Sequence, residues 1–243
     1  MTERAGPTPA CAIIRGSSRG VPTRYRCLVI DHDDTAVDST ASCHYPAHVR
    51  GMELLRPGQA PVDLDTWYCR NFDPGIMTFL TQEIGFTPEE MAVEYGIWRE
   101  FTTSHTPHFY PGFREALAEY KARGGHIVVA SHSETDNILA AYRAAGNGSA
   151  LMPDVVFGWE LPPDQRKPAP YPVLESMRRF GLAPHEVLVV DDLKPGIEMA
   201  RAAGVDAAGV GWAHDIPLIR DWMKRTCVAY FSTVAEFASF ILR

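Results

Sequence analysis

Short unbroken runs of apolar residues recur along the chain, and most of them alternate with stretches in which apolar residues have helical spacing. The apolar runs occupy residues 27–30, 126–130, 155–157, 187–190, 207–212 and 227–231. Helical spacing predicts helices from residue 113 to the glycine pair at 124–125 and over 135–145 (closed by Gly146), 170–180, 195–203 and 233–242. Strands without polar alternation are typical of parallel sheets that are covered on both faces. The pattern therefore predicts an α/β fold with a parallel sheet and helices on both faces.

One long segment, residues 40–108, interrupts this alternation. Helix-like stretches occur there, such as 88–101, which opens with the N-cap pattern Thr87-Pro88-Glu89-Glu90. No strand–helix–strand unit is evident in this segment, so we predict a mostly helical insert that lies over the sheet. The predicted organisation is a flexible N-terminal tail (1–23, rich in Gly, Pro, Ser and Thr), a core domain (24–39 and 109–243) and a helical cap domain (40–108).

Polar residues follow three of the predicted strands at the point where each strand ends. Asp31, Ser131 and the pair Asp191-Asp192 each come directly after an apolar run. A single Asp after a strand is most often a turn or helix-cap residue. Three such positions would meet in one crevice if their strands are neighbours, because ligands of open α/β sheets gather at the carboxyl ends of the strands.

The same residues carry a resemblance to the haloacid dehalogenase (HAD) superfamily of hydrolases. Asp31-x-Asp33-x-Thr35 resembles the first motif of that family, Ser131 the second, Lys167 in Lys167-Pro168-Ala169-Pro170 the third, and Asp191-Asp192 the acidic fourth. The motifs occur in the family's order over roughly residues 25–211, and the helical insert is placed like the family's C1 cap. The resemblance implies a Rossmann-like core and points to the phosphoglycolate phosphatase and β-phosphoglucomutase branch.

The resemblance also implies a role for each motif residue. Asp31 would be the nucleophile that forms a phospho-aspartate, and Asp33 the general acid and then the general base. Ser131 would donate to a phosphoryl oxygen, and Lys167 would neutralise its charge. A Mg²⁺ cofactor would be held by Asp31, the backbone carbonyl of Asp33, Asp192 and Asp191, whose oxygens are the ligands that Mg²⁺ prefers.

Three positions depart from the usual family pattern. His32 stands where an apolar or aromatic residue is usual, and Asp34 where Gly is common. A further carboxylate beside the nucleophile adds repulsion, so we expect Asp34 to point outward. Gly196 falls where many family phosphatases have a second acidic residue, which leaves Asp191 and Asp192 to hold the metal.

Composition limits the partners of the protein. The 23 basic and 30 acidic residues among 243 give a net charge of −7, which argues against a nucleic-acid surface. The five cysteines are irregularly spaced, so neither a disulfide framework nor a zinc site is indicated, and a reduced, cytoplasmic location is expected. The sequence contains no run of eighteen apolar residues, so no membrane span is expected. We expect a small phosphorylated metabolite as substrate and a monomer or homodimer.

The insert is expected to act as a lid and to choose the substrate, with Arg50, Trp67 and Arg70 as candidate substrate-binding residues. Hydrolysis of a small phosphate monoester is the function that the residues favour. A phosphomutase of the β-phosphoglucomutase type would use the same core residues and differ only in the fate of the phospho-aspartate. A non-catalytic phosphate-binding or regulatory protein is a third interpretation, against which the presence of both Asp31 and Asp33 speaks.

Overall fold

The computed structural model describes residues 23–144 and 151–243. The predicted N-terminal tail, apart from Thr23, lies outside the described residues. So do the last predicted residue of the helix over 135–145 and its closing Gly146. Within the described ranges, no helix is long and apolar enough to cross a membrane.

Six parallel strands form the central sheet, in the order β5-β4-β1-β6-β7-β8. Their bounds are β1 (Cys27–Ile30), β4 (His126–Ala130), β5 (Val155–Phe157), β6 (Val187–Asp191), β7 (Asp206–Val210) and β8 (Ala229–Phe231). A second, two-stranded antiparallel sheet pairs β2 (Val37–Asp38) with β3 (His108–Phe109). The predicted parallel sheet is confirmed, with each strand within two residues of its predicted bounds.

Helices connect the strands and form the segment between β2 and β3. The described α-helices are α1 (Tyr45–Leu55), α2 (Leu64–Phe72), α3 (Ile76–Thr78), α4 (Pro88–Ser104), α5 (Phe113–Ala122), α6 (Thr135–Ala144), α7 (Tyr171–Phe180), α8 (Lys194–Ala203), α9 (Pro217–Thr226) and α10 (Val234–Ile241). Short π-helical segments occupy Thr40–His44 and Phe79–Glu83, and 3₁₀ turns occupy Pro163–Gln165 and Pro184–Glu186. The sequence prediction missed α9, although Ile219 and Met223, both buried, have helical spacing and Pro217 stands at its first position.

Alternate residues of the central strands point to opposite faces of the sheet and build two apolar layers. Leu28 and Ile30 of β1 face a layer formed by α5, α6 and α10, which includes Phe113 and Phe237. Val29 faces the other layer, formed by α7, α8 and α9. Both faces of the strands are buried, which explains why their sequences are apolar without alternation.

The helical insert, by which we mean residues 40–108, lies over the carboxyl ends of the strands. It has an apolar cluster of its own, formed by Met52, Trp67, Phe79, Leu80 and Phe86. Fully burying side chains of this size contributes about 1.5–3 kcal/mol each. The insert leaves and re-enters the core at the β2–β3 pair, and α4 begins with the predicted capping box of Thr87 and Glu90.

Candidate active site

The three polar strand ends come together because β4, β1 and β6 are neighbours in the sheet. Ile30 is level with Val129 on one side and with Val190 on the other. This register brings Asp31, Ser131 and Asp191 to the same edge of the sheet. Carboxylate oxygens of Asp31, Asp191 and Asp192 lie within 4.8 Å of one another, and all three side chains are buried. Such a set of hard oxygen donors fits a divalent cation such as Mg²⁺.

Lys167 is the cation closest to these carboxylates. Its Nζ lies 2.6 Å from Asp31 Oδ1 and 2.9 Å from Asp191 Oδ2, and its side chain is only 6% exposed. Burial opposes the charge of Lys167, but the two carboxylates outweigh burial and raise its pKa. Burial, with repulsion from Asp191 and Asp192, raises the pKa of Asp31 well above its usual value, even though Lys167 opposes this. One lysine therefore does not balance three buried carboxylates.

Asp33 accepts four hydrogen bonds, two at each carboxylate oxygen. Ser39 Oγ (2.7 Å) and His44 Nε2 (2.9 Å) donate to Oδ1, while Ser131 Oγ (3.2 Å) and Ser133 Oγ (2.6 Å) donate to Oδ2. Burial alone would raise the pKa of this carboxyl. The His44 ring and the Ser133 hydroxyl outweigh burial and hold the pKa of Asp33 well below its usual value.

Asp34 does not point outward as expected. Its side chain is buried, its backbone has φ 59°, and Oδ1 accepts a hydrogen bond from the Thr40 backbone N–H at 3.2 Å. Asp is among the residues that tolerate this left-handed conformation, which here closes a tight loop through a bond from Asp34 N to Val37 O. Burial, reinforced by repulsion from Asp192, raises the pKa of Asp34 to about 7. Its repulsion of the neighbouring carboxylates is thereby reduced.

Asp192 is held by residues from two other loops. Thr35 Oγ1 donates to Asp192 Oδ1 at 3.0 Å, which joins the loop after β1 to the loop after β6. On the other side, His214 Nε2 lies 3.4 Å from Asp192 Oδ2. The sequence analysis missed His214, although it follows a fourth strand, β7, by only four residues.

Gly196, in the first turn of α8, has no room for a side chain. A Cβ at this position would lie 1.9 Å from Asp191 Oδ2. Its backbone thus approaches the Asp191 carboxylate more closely than any other residue type would permit. This close approach gives a physical reason for the absence of a second acidic residue there.

A cavity of about 520 Å³ lies between the insert and the strand ends. Of the three predicted substrate-binding residues, only Trp67 lines it. Arg50 Nη1 pairs with Glu53 Oε2 at 3.2 Å, and Arg70 Nε pairs with Glu83 Oε2 at 2.9 Å. The expectation that these two arginines face the substrate is thus corrected: both are held by glutamates of the insert, outside the cavity lining.

Five further residues of the cavity lining bear on function: His44 and Trp98 of the insert, and Trp159, Arg166 and Lys194 of the core. The sequence analysis did not single out the last three. Trp159 and Arg166 belong to the loop between β5 and α7, a region in which the sequence analysis singled out only Lys167. The sequence did offer one signal for Arg166, because a positive charge stands directly before the predicted catalytic lysine.

Comparison with known proteins places the chain in a family. The model of the haloacid dehalogenase-like hydrolase family matches residues 25–204, which is more than half of the chain. The chain belongs to the haloacid dehalogenase-like hydrolases. This assignment confirms the resemblance noted in the sequence. It also confirms the prediction that the protein is an enzyme, a HAD-type phosphoric monoester hydrolase.

Relatives within the family agree with this assignment. A phosphoglycolate phosphatase of Nitrosospira multiformis is 28% identical over 228 residues, covering 90% of this chain and 97% of the relative. Among solved structures, a haloacid dehalogenase-like hydrolase of Bacteroides fragilis superposes with a TM-score of 0.73 at 20% identity, covering 88% of this chain and 99% of the other. A protein described as a predicted phosphoglycolate phosphatase, from Haemophilus somnus, gives a TM-score of 0.69 at 20% identity, covering 89% and 98%. At these identities the two structures show that the fold is shared.

Proposed function

We propose that this hydrolase is a Mg²⁺-dependent phosphatase, which hydrolyses a small phosphate monoester through a phospho-aspartate on Asp31. The observation that carries the proposal is the pairing of Asp31 with Lys167 beside a second carboxyl, Asp33, that is surrounded by hydroxyl and imidazole donors. A carboxylate nucleophile, a cation for the phosphoryl oxygens and a proton-transfer group are the parts that phosphoryl transfer requires.

The residues present fit a Mg²⁺ ion. Asp31, Asp191 and Asp192, together with the Asp33 backbone carbonyl, would hold it. Within residues 23–144 and 151–243, Lys167 is the one lysine or arginine that pairs with any of these three buried carboxylates. When bound, Mg²⁺ supplies positive charge that screens the repulsion between the carboxylate nucleophile and an anionic substrate.

The proposed reaction has two displacements at phosphorus. In the first, an Asp31 carboxylate oxygen bonds to phosphorus and the bond to the leaving oxygen breaks, while Asp33 gives that oxygen a proton. In the second, Asp33 takes a proton from water as the water oxygen bonds to phosphorus, and the bond from phosphorus to Asp31 breaks. The donors around Asp33 favour its charged form, which is the form that the second step needs.

We propose that the helical insert is a cap domain that excludes water and shapes the pocket. Residues of the insert and of the core line the same cavity, and α2 of the insert contributes Tyr68 and Phe72 to an apolar layer of the core. Excluding water strengthens the electrostatic interactions of Lys167 with an anionic substrate.

The decisive test measures phosphate released from a set of phosphorylated metabolites. We expect release from at least one small monoester with Mg²⁺ present, loss of activity in EDTA and recovery when Mg²⁺ is added back. The proposal fails if the folded protein releases phosphate from none of them, or if EDTA leaves the rate unchanged.

Arg166 is our candidate for recognition of the substrate's leaving group. Its guanidinium carbon lies 3.9 Å from the centre of the Trp159 ring, and its Nε donates to Leu161 O at 2.6 Å. Lys167 and Lys194 each pair with two carboxylates, whereas no carboxylate of the described residues lies within 4.0 Å of Arg166 nitrogens. A positioned, unpaired cation suits a leaving group that carries a second negative charge, such as the carboxylate of phosphoglycolate.

Replacement of Arg166 by Met tests this assignment. A hydrogen bond to a charged group is worth about 1.5–3 kcal/mol, so kcat/KM for phosphoglycolate should fall about 10- to 100-fold. The value for ethyl phosphate, which lacks a carboxylate, should change little. Arg50→Met and Arg70→Met are the controls, because both arginines lie outside the cavity lining. Equal losses for the two substrates would contradict a contact between Arg166 and the carboxylate.

A further inference from the structure

His44 lies between Asp33 and a tryptophan of the insert. The ring nitrogen Nε2 is 2.9 Å from Asp33 Oδ1, and the other nitrogen, Nδ1, accepts a hydrogen bond from Trp98 Nε1 at 2.9 Å. The planes of the His44 and Trp98 rings are nearly parallel, with centroids 6.0 Å apart and an interplanar angle of 11°, as a hydrogen bond in the plane of both rings requires. The His44 side chain is only 13% exposed.

The tryptophan determines which nitrogen of His44 carries the hydrogen. An indole N–H donates and cannot accept, so Nδ1 of His44 must present its lone pair to Trp98. Nε2 then carries the hydrogen and donates it to Asp33. An imidazole that is bonded at both nitrogens has one orientation and one tautomer, and together with the Ser39 hydroxyl it sets the direction in which Asp33 Oδ1 points.

The helix that carries Trp98 also contacts Glu134, the chain neighbour of a second donor to Asp33. Tyr95 Oη and Arg99 Nη1 of α4 both donate to Glu134, the latter at 2.9 Å. Glu134 directly follows Ser133, whose hydroxyl donates to Asp33 Oδ2. One helix of the insert is therefore linked to the donors at both oxygens of the same carboxylate.

α4 is attached by polar contacts as well as by apolar packing. None of its residues is fully buried, whereas α1 and α2 of the insert each bury several. Polar contacts of α4 to His44 and Glu134 therefore add to a modest apolar attachment.

We propose that Trp98 is a positioning residue for the acid–base group: through His44 it orients Asp33. The proposal rests on the proposed function, in which Asp33 transfers the proton. His44 and Trp98 both belong to the insert, so the proposal makes the insert a contributor to that proton transfer.

The test replaces Trp98 by Phe, which keeps an aromatic ring beside His44 and removes the N–H donor. The rate constant of a single turnover for a substrate with a poor leaving group, such as ethyl phosphate, should fall about 10- to 100-fold, the size of effect that misorientation of a reacting group produces. KM should change less than about twofold, and the loss for p-nitrophenyl phosphate should be small because its leaving group needs no proton.

The control is Trp222→Phe. Trp222 packs edge-on against Phe72 of the insert, 5.2 Å between ring centroids, but makes no contact with the Asp33 donors. This variant shows the effect of loosening a tryptophan contact between the insert and the core. It should leave the ratio of the rates for ethyl phosphate and p-nitrophenyl phosphate unchanged.

Two further measurements separate positioning from a structural role. Trp98→Phe should cause no further loss in an Asp33→Asn background or in a His44→Ala background, because its effect passes through both residues. ¹⁵N NMR of the His44 ring should show a single tautomer with hydrogen on Nε2 in the wild type and a mixture in Trp98→Phe.

The proposal is overturned if Trp98→Phe matches Trp222→Phe, if it slows both substrates equally, or if its loss adds to that of Asp33→Asn. Failure of the proposed function is a distinct result. In that case the wild type would release no phosphate, while the His44 tautomer would still show whether Trp98 fixes the ring.

Discussion

Asp31→Asn should lower kcat/KM by about four orders of magnitude or more, because it removes the attacking oxygen and the covalent route with it. The shape of the side chain is nearly unchanged, and Lys167 keeps its second partner, Asp191. Initial rates of phosphate release from the best substrate measure the effect. Asp65→Asn, on an exposed first-turn residue of α2, is the matched control and should retain full activity.

The stability of Asp31→Asn distinguishes loss of chemistry from loss of fold. Burial and the neighbouring Asp191 and Asp192 raise the pKa of Asp31 well above its usual value. A carboxyl group whose pKa is raised on folding prefers its protonated form in the folded state. Its ionisation therefore lowers the stability of the fold as the pH rises from the pKa of the unfolded state to that of the folded state. Asn does not ionise. In EDTA at pH 7 we therefore expect a Tm equal to or above that of the wild type. An inactive variant that also unfolds at a much lower temperature would leave the nucleophile assignment without support.

Asp33→Asn should reduce kcat by about 10²–10⁴-fold for substrates with poor leaving groups, the usual value of general acid–base help. The nucleophile and the side-chain carboxylates of the metal site remain. The loss should therefore be smaller for p-nitrophenyl phosphate, whose leaving group needs no proton, when formation of the phosphoenzyme is followed in the first turnover. Rapid-quench measurements on both substrates provide the comparison. Losses of equal size, with phosphoenzyme formation limiting both rates, would show that Asp33 does not protonate the leaving group.

The part of the fold that local patterns encode was predicted correctly. Apolar runs such as residues 187–190 are buried on both faces, and that burial is visible in the sequence as missing alternation. The meeting of Asp31, Ser131 and Asp191 was expected only on the condition that their strands are neighbours. What the sequence could not provide was the strand order itself, which depends on packing between distant segments.

The errors lie where a side chain's surroundings come from distant parts of the chain. Asp34 was expected at the surface on grounds of repulsion, but the loop closes around it and its raised pKa reduces that repulsion. Arg70 pairs with Glu83 only when the insert folds. Arg50 is a different case, because its partner Glu53 is three residues away on the same helix and the spacing was visible in the sequence. The role of His44 could not be predicted, since its contacts with Asp33 and Trp98 span 11 and 54 residues.

The central claim is a covalent phospho-aspartate on Asp31, and trapping it tests that claim most directly. The enzyme is mixed with a ³²P-labelled substrate and Mg²⁺, quenched in acid within the first turnover, digested and mapped by mass spectrometry. In the wild type we predict hydroxylamine-sensitive label on the peptide that contains Asp31. Asp33→Asn should carry more of this label under conditions where the second step is slowed. Asp31→Asn should carry none. Substrate turnover without label on Asp31, or label on another residue, would contradict the mechanism.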